Sequence, residues 1–170
     1  MDLKKIIRDV PDFPKPGIIF KDITPVLKNI EAFNYAIKKM AEPFEKMDID
    51  YVVGAESRGF IFGTLIASHL NAGFIPVRKP GKLPYKTISE SYELEYGTDS
   101  LEIHEDAVEK GKNVLIVDDL LATGGTAEAM IKLIEKTGGI VKGMSFLIEL
   151  DFLKGRERFA EYNVNSHIIY

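Results

Sequence analysis

The chain has 170 residues, 45% of them hydrophobic and 28% charged, which is enough to bury one core and hardly two, so a single compact domain is expected. Twenty-two Lys and Arg against 26 Asp and Glu leave a net charge of −4. No global field then draws nucleic acid or an anionic membrane, and any anionic ligand must be held by a local site. Cysteine is absent, which removes disulfide frameworks, thiolate metal sites and Cys nucleophiles together and fits a reducing cytosol.

The three scattered histidines, His69, His104 and His167, do not make a zinc site. The N-terminus MDLKKIIRDV has no apolar h-region, and 18 uninterrupted apolar residues occur nowhere. The expectation is therefore a cytoplasmic protein with no signal peptide and no membrane span.

In chain order, residues 1–28 stand apart. PDFPKPGIIFKDITP holds four prolines within residues 11–25, which excludes a central strand or a helix interior and predicts an ordered loop or lid. Phe33, Ile37, Met40, Ala41 and Phe44 recur at helical spacing, with Pro43 ending that helix early. Tyr51 to Val53 reads as a short buried strand stopping at Gly54, followed by an apolar helix from Gly59 to Leu70 and a strand from Phe74 to Val77.

SYELEYGTDSLEIH alternates across Gly97 and predicts a hairpin, whereas NVLIVDD is a continuous apolar run and predicts a strand buried on both faces. Ala127, Met130, Ile131 and Ile134 form the stripe of a further helix that Gly138 and Gly139 terminate, and IVKGMSFLIEL follows as a strand. Strands alternating with helices imply an α/β fold with a mainly parallel central sheet flanked by helices. The segment from Lys82 to Tyr96 is long and polar, as a flexible lid loop would be. Nothing after Leu150 suggests chemistry.

In such a sheet, ligands sit beyond the carboxyl ends of the strands. After the most buried strand comes Asp118-Asp119-Leu120-Leu121-Ala122-Thr123-Gly124-Gly125-Thr126. The glycines permit backbone conformations in which successive N–H groups converge on a phosphate at the positive end of a helix, and the Thr123 and Thr126 hydroxyls add donors. The two carboxylates repel a phosphate but suit neighbouring hydroxyls, as on a ribose, or a metal ion. Together these features describe a site for a phosphorylated sugar. A Walker loop is excluded because Thr126-Ala127 follows Gly125 where Lys-Ser/Thr is required.

VLIVDDLLATGGT resembles the phosphoribosyl-pyrophosphate (PRPP) motif of the type I phosphoribosyltransferases. FPKPGIIFKDITPVL, VVGAESRGFIFG, PVRKPGKLP and SYELEYGTDSLEIH also resemble, in order and spacing over residues 11–150, the members of that family that use adenine. The resemblance implies a 1–28 N-terminal base-binding hood on a 29–170 PRPP-binding core. It implies transfer of the 5-phosphoribosyl group from PRPP to adenine, forming AMP and pyrophosphate in purine salvage. Magnesium would arrive chelated by PRPP, with no dedicated protein cage, and the chain would work as a homodimer.

Asp118 and Asp119 would then bind the ribose hydroxyls and stabilise an oxocarbenium-like transition state, and Ala122, Thr123, Gly124, Gly125 and Thr126 would cradle the 5′-phosphate. Ser57 and Arg58, between a strand end and a helix start, together with Arg78, Lys79 and Lys82 in VRKPGK, would hold the pyrophosphate, with Arg78 acting from the neighbouring subunit. Glu95 would manage the proton at the adenine ring and Tyr96 would help close the lid. Phe20 would stack on the purine, the main chain of Ile19 and Lys21 would read its edge, and Leu121 would pack on its other face.

Two other readings draw on the same residues: a phosphoribosyltransferase for another purine, and a PRPP-sensing regulator without chemistry. Regulators of that kind usually add a DNA-binding module, and 170 residues leave no basic helix-turn-helix to spare.

Overall fold

The computed structural model describes residues 1–93 and 98–170. Among them, a five-stranded parallel sheet runs in the order β4-β3-β7-β8-β9, with β3 at Tyr51–Ala55, β4 at Gly73–Val77, β7 at Asn113–Leu121, β8 at Ile140–Glu149 and β9 at Val164–Ile169. β7 is central and buried, as its unbroken apolar run requires of a strand covered on both faces.

The period of two sorts its side chains. Leu115 and Val117 join Val52, Phe62 and Ile66 in one cluster, under α2 (Ile30–Ala41) and α3 (Arg58–His69). Val114 and Ile116 join Val53, Met130 and Ile134 in the other, under α4 (Gly125–Thr137). Helix ends follow local chemistry. Asn29 Oδ1 accepts from the amides of Glu31 and Ala32, both at 3.1 Å, and so caps α2, which gives way at Glu42–Phe44 to a 3-10 turn containing Pro43. Gly138, at φ 89°, stops α4.

The proline-rich start is more regular than a loop. β1 (Arg8–Pro11) and β2 (Ile19–Asp22) pair antiparallel, and α1 (Thr24–Lys28) follows with Pro25 in its first turn. The prolines occupy the places a proline tolerates: a strand end, the connection between strands and a helix start. Ile7, Ile23 and Val26 are buried in the α2 and α3 cluster, so residues 1–28 share the core's packing.

Much of the segment expected as a polar loop is also strand. β5 (Thr87–Glu93) pairs antiparallel with β6 (Thr98–His104), register Ser91 to Ser100. The arm leans on α4, where Lys136 Nζ donates to Glu90 Oε2 at 2.5 Å and to the Ser89 carbonyl at 3.1 Å. Beyond β8, two 3-10 turns, Asp151–Leu153 and Gly155–Phe159, lead into the edge strand β9. Among the described residues no helix is long and apolar enough to cross a membrane.

Candidate active site

The carboxyl ends of β3 and β7 and the first turns of α3 and α4 enclose a cavity of about 470 Å3. The parallel register that sets Val53 beside Ile116 brings the segments after both strands to one rim, where strand-end loops of such sheets gather ligands. Ser57, Arg58, Lys79, Asp118, Asp119, Leu121 and all of Ala122–Thr126 line it, as does Phe20 of the N-terminal hairpin.

The turn after β7 takes its form from Gly124, which at φ 88° is the N-cap of α4. The amides of Gly125, Thr126 and Ala127 precede the first intrahelical bond, from Glu128 N to the Gly124 carbonyl at 2.9 Å, and so belong to the donors a helix start leaves for a ligand. Gly125 also admits Tyr92, since a Cβ there would lie 3.1 Å from the ring.

In the segment after β3, Arg58 is the first residue of α3. Its Nε lies 3.0 Å from Asp119 Oδ2, and its guanidinium stands 5.0 Å from the Phe20 ring centroid. Burial and the neighbouring Asp119 charge push the Asp118 carboxyl well up from its ordinary range. Burial also raises Asp119, against the opposing charge of Arg58. The pair therefore concentrates negative potential that Arg58 only partly offsets.

The cationic loop after β4 is organised by a carboxylate. Glu56 Oε1 accepts from the Lys79 amide and Glu56 Oε2 from Lys82 Nζ, both at 2.6 Å, while Arg78 Nε lies 3.6 Å from Oε1. Burial works to raise the Glu56 carboxyl, but the Lys82 and Lys79 hydrogen bonds and the nearby cations outweigh it and hold it below the usual range. Lys79 Nζ pairs with Asp99 Oδ2 of β6 at 2.9 Å.

Of the predicted residues, Arg78 and Lys82 lie beside this carboxylate and not among the cavity's lining. Ile19 is 56% exposed and lies outside the lining too. The Lys21 side chain turns to Asp9 Oδ1, 2.7 Å away, and to the Tyr170 ring, 3.8 Å from its centroid, and is not among the cavity's lining. Glu95 and Tyr96 fall outside the described residues. The sequence reading missed Glu56, Tyr92, Leu101 and Phe146, all of which line the cavity. Glu56 adjoins the Ser57-Arg58 pair and was open to notice; the other three reach the site only through strand pairing.

Among the described residues no group of three or more histidine, aspartate or glutamate side chains is placed to hold a metal ion.

Residues 25–148 match the phosphoribosyl transferase domain family. An adenine phosphoribosyltransferase of Brachyspira hyodysenteriae is 64% identical over 170 residues, covering 100% of both chains. The crystal structure of adenine phosphoribosyltransferase from Thermoanaerobacter pseudethanolicus superposes with a TM-score of 0.96 at 57% identity, over 99% of this chain and 98% of that one. The enzyme from Saccharomyces cerevisiae, solved with adenine and an imino-altritol bisphosphate, gives a TM-score of 0.89 at 44% identity over 95% and 94% of the two chains. With the family matched over most of its length and such relatives aligned end to end, the chain belongs to the phosphoribosyltransferase family, as a member of its adenine phosphoribosyltransferase branch.

Proposed function

We infer that the chain transfers the 5-phosphoribosyl group of PRPP to N9 of adenine, releasing pyrophosphate and forming AMP. The observation that carries this reading is the convergence, in one cavity, of an acidic pair, a helix N-terminus, an arginine and an aromatic ring from separate segments. The 5′-phosphate belongs at Ala122–Thr126, where the α4 amides and the Thr123 and Thr126 hydroxyls point charge-assisted donors at it. The ribose hydroxyls belong at Asp118 and Asp119. As the C1–oxygen bond to pyrophosphate breaks and the N9–C1 bond forms, positive charge develops on the ribose, and these preorganised carboxylates stabilise it.

Pyrophosphate leaves towards Ser57, Arg58 and Lys79, with Lys82 and Arg78 reaching it once they exchange Glu56 for phosphate oxygens. Arg78 does so in the neighbouring subunit of a homodimer. Magnesium, chelated by PRPP as part of the substrate, would supply positive charge to the leaving pyrophosphate. Adenine stacks on Phe20 and packs against Leu121, with its edge on the main chain of Ile19 and Lys21. Residues 1–28 act as the base-binding hood over the 29–170 core. The family resemblance gives Glu95 the N9 proton and Tyr96 a part in closing the site, which would exclude water from PRPP. The absence of cysteine and the acidic composition suit a cytoplasmic enzyme of purine salvage.

With Mg-PRPP, the purified protein should release pyrophosphate with adenine far faster than with hypoxanthine, guanine or orotate. Equal or reversed preference would overturn the base assignment, and no turnover with any base would overturn the reaction.

A further inference from the structure

Residues 150–170 follow the segment matched by the family, yet part of this stretch is built against the turn at Ala122–Thr126. A Cβ on Gly155 would lie 2.1 Å from the Ala122 carbonyl oxygen and 3.0 Å from the Thr123 carbonyl carbon. Both neighbours are backbone, so no flexible side chain can yield. The same contact holds from the other side, since a Cβ on Gly124 would meet the Gly155 carbonyl oxygen at 3.1 Å and the Phe159 ring at 3.0 Å.

The turn Gly155–Phe159 is itself pinned. Arg156 Nε donates to Glu149 Oε1 at 2.9 Å, and its NH1 donates to the Val164 carbonyl at 2.8 Å. Arg158 NH1 donates to Glu128 Oε2, in the first turn of α4, at 2.6 Å. Phe159 is buried. Of the two backbones in contact, the turn is thus fastened to β8, β9 and α4, whereas the loop it touches has to keep the unusual Gly124 conformation.

We propose that Gly155 and Phe159 are positioning residues for the phosphate loop: the turn they form holds Ala122–Thr126 in the shape that aims the α4 amides at the 5′-phosphate. The inference rests on the reading of that loop as the phosphate site. A methyl at position 155 needs the 2.1 Å contact to open by about 1.3 Å or more to reach ordinary van der Waals separation, and displacements of about 1 Å at a positioning element can cost about 100-fold in function. The effect should fall on the phosphorylated ligand and spare the base, which the hood holds from the other side of the cavity.

The test compares Gly155→Ala, Phe159→Leu and Thr126→Ala with the parent by steady-state kinetics and by calorimetric titration of ribose 5-phosphate. Gly155→Ala should raise KM for PRPP and Kd for ribose 5-phosphate at least about 10-fold while KM for adenine stays within about twofold. Phe159→Leu should follow in the same direction, several-fold. A folded Gly155→Ala whose ribose 5-phosphate affinity is unchanged, or in which both KM values rise together, overturns the inference. If Gly155→Ala does not fold, Phe159→Leu decides by the same measurements. Thr126→Ala separates the two readings: if it leaves ribose 5-phosphate binding intact, the phosphate-site assignment fails; if it weakens binding and Gly155→Ala does not, only the positioning role fails.

Discussion

Replacing Arg156 by methionine should destabilise the whole protein, by an amount that depends on pH in a defined sense. Glu149, the last residue of β8, is 2% exposed, and its carboxylate takes the Arg156 fork through Nε at 2.9 and 3.1 Å and through NH2 at 2.5 Å. Removing one partner of a buried pair costs about 3–5 kcal/mol, because the other charge is left in low dielectric. The Arg156 side chain is 39% exposed, so water screens the pair and about 2–3 kcal/mol is the better expectation. For a chain of this size that is a fall in Tm of about 4–12 °C.

Arg156 hydrogen bonding, opposed by burial, holds the Glu149 carboxyl below its ordinary range. The stability it contributes is therefore fully present above the unfolded carboxyl pKa of about 4.3 and lost as pH falls through the lower folded value. In Arg156→Met burial is opposed only by the Ser166 hydrogen bond and the folded pKa rises, so acid relieves the variant. Thermal denaturation at pH 7 and pH 4.5 should show the deficit shrinking with acidity. Adding Glu149→Gln to the variant should recover much of the loss at pH 7. A deficit equal at both pH values, or no recovery in the double variant, would refute the account.

Asp118→Asn should lower kcat/KM at least about 100-fold, as expected for a lost transition-state contact, while raising the Tm of the ligand-free protein at pH 8. The sign follows because a carboxyl whose folded pKa is raised costs stability above that pKa, and the gain should fade as pH falls toward the ordinary carboxylate range; a Tm that drops at pH 8 would contradict it. Phe20→Ala should raise KM for adenine about 5- to 100-fold, the worth of a base stacked on an aromatic ring, and change KM for PRPP much less, to the extent that Arg58 loses its packing partner. Equal effects on both substrates would remove Phe20 from the base site.

The elements that could be read from the sequence are those whose own periodicity is strong. Asn113–Leu121 has one unbroken apolar run, and Gly125–Thr137 has an apolar stripe closed by Gly138. Both are decided by their own residues. The hairpin Arg8–Pro11 with Ile19–Asp22 was hidden because prolines interrupt any period there, and its strands are held by pairing and by Ile23 and Val26 reaching a distant core. Val164–Ile169 was hidden for a different reason: its residues are mostly half-buried, as befits an edge strand, so the alternation that marks a strand is blurred. Asp118-Asp119 and Thr123–Thr126 were legible as a site because strand end, turn and helix start are contiguous in the chain. Tyr92 carries no such signal, and its place over Gly125 exists only once the β5-β6 arm has folded onto α4.

The same distinction explains how an acidic chain can offer a cavity for a polyanion. The cations proposed for pyrophosphate are already neutralised: Arg58 by Asp119, Lys79 by Asp99 and Lys82 by Glu56. Each carboxylate holds its cation in place before substrate arrives, and binding exchanges one set of oxygens for another. Because Glu56 also accepts the Lys79 amide, the backbone that carries these cations stays fixed when Lys82 leaves, so the exchange costs side-chain contacts and not the loop. The α4 amides need no such exchange. A helix N-terminus offers partial positive charge without a mobile counter-ion of its own, so the 5′-phosphate should be gripped by fixed donors and the pyrophosphate by exchangeable ones. That division suits a reaction in which the first group stays with the product AMP until turnover is complete and the second has to leave.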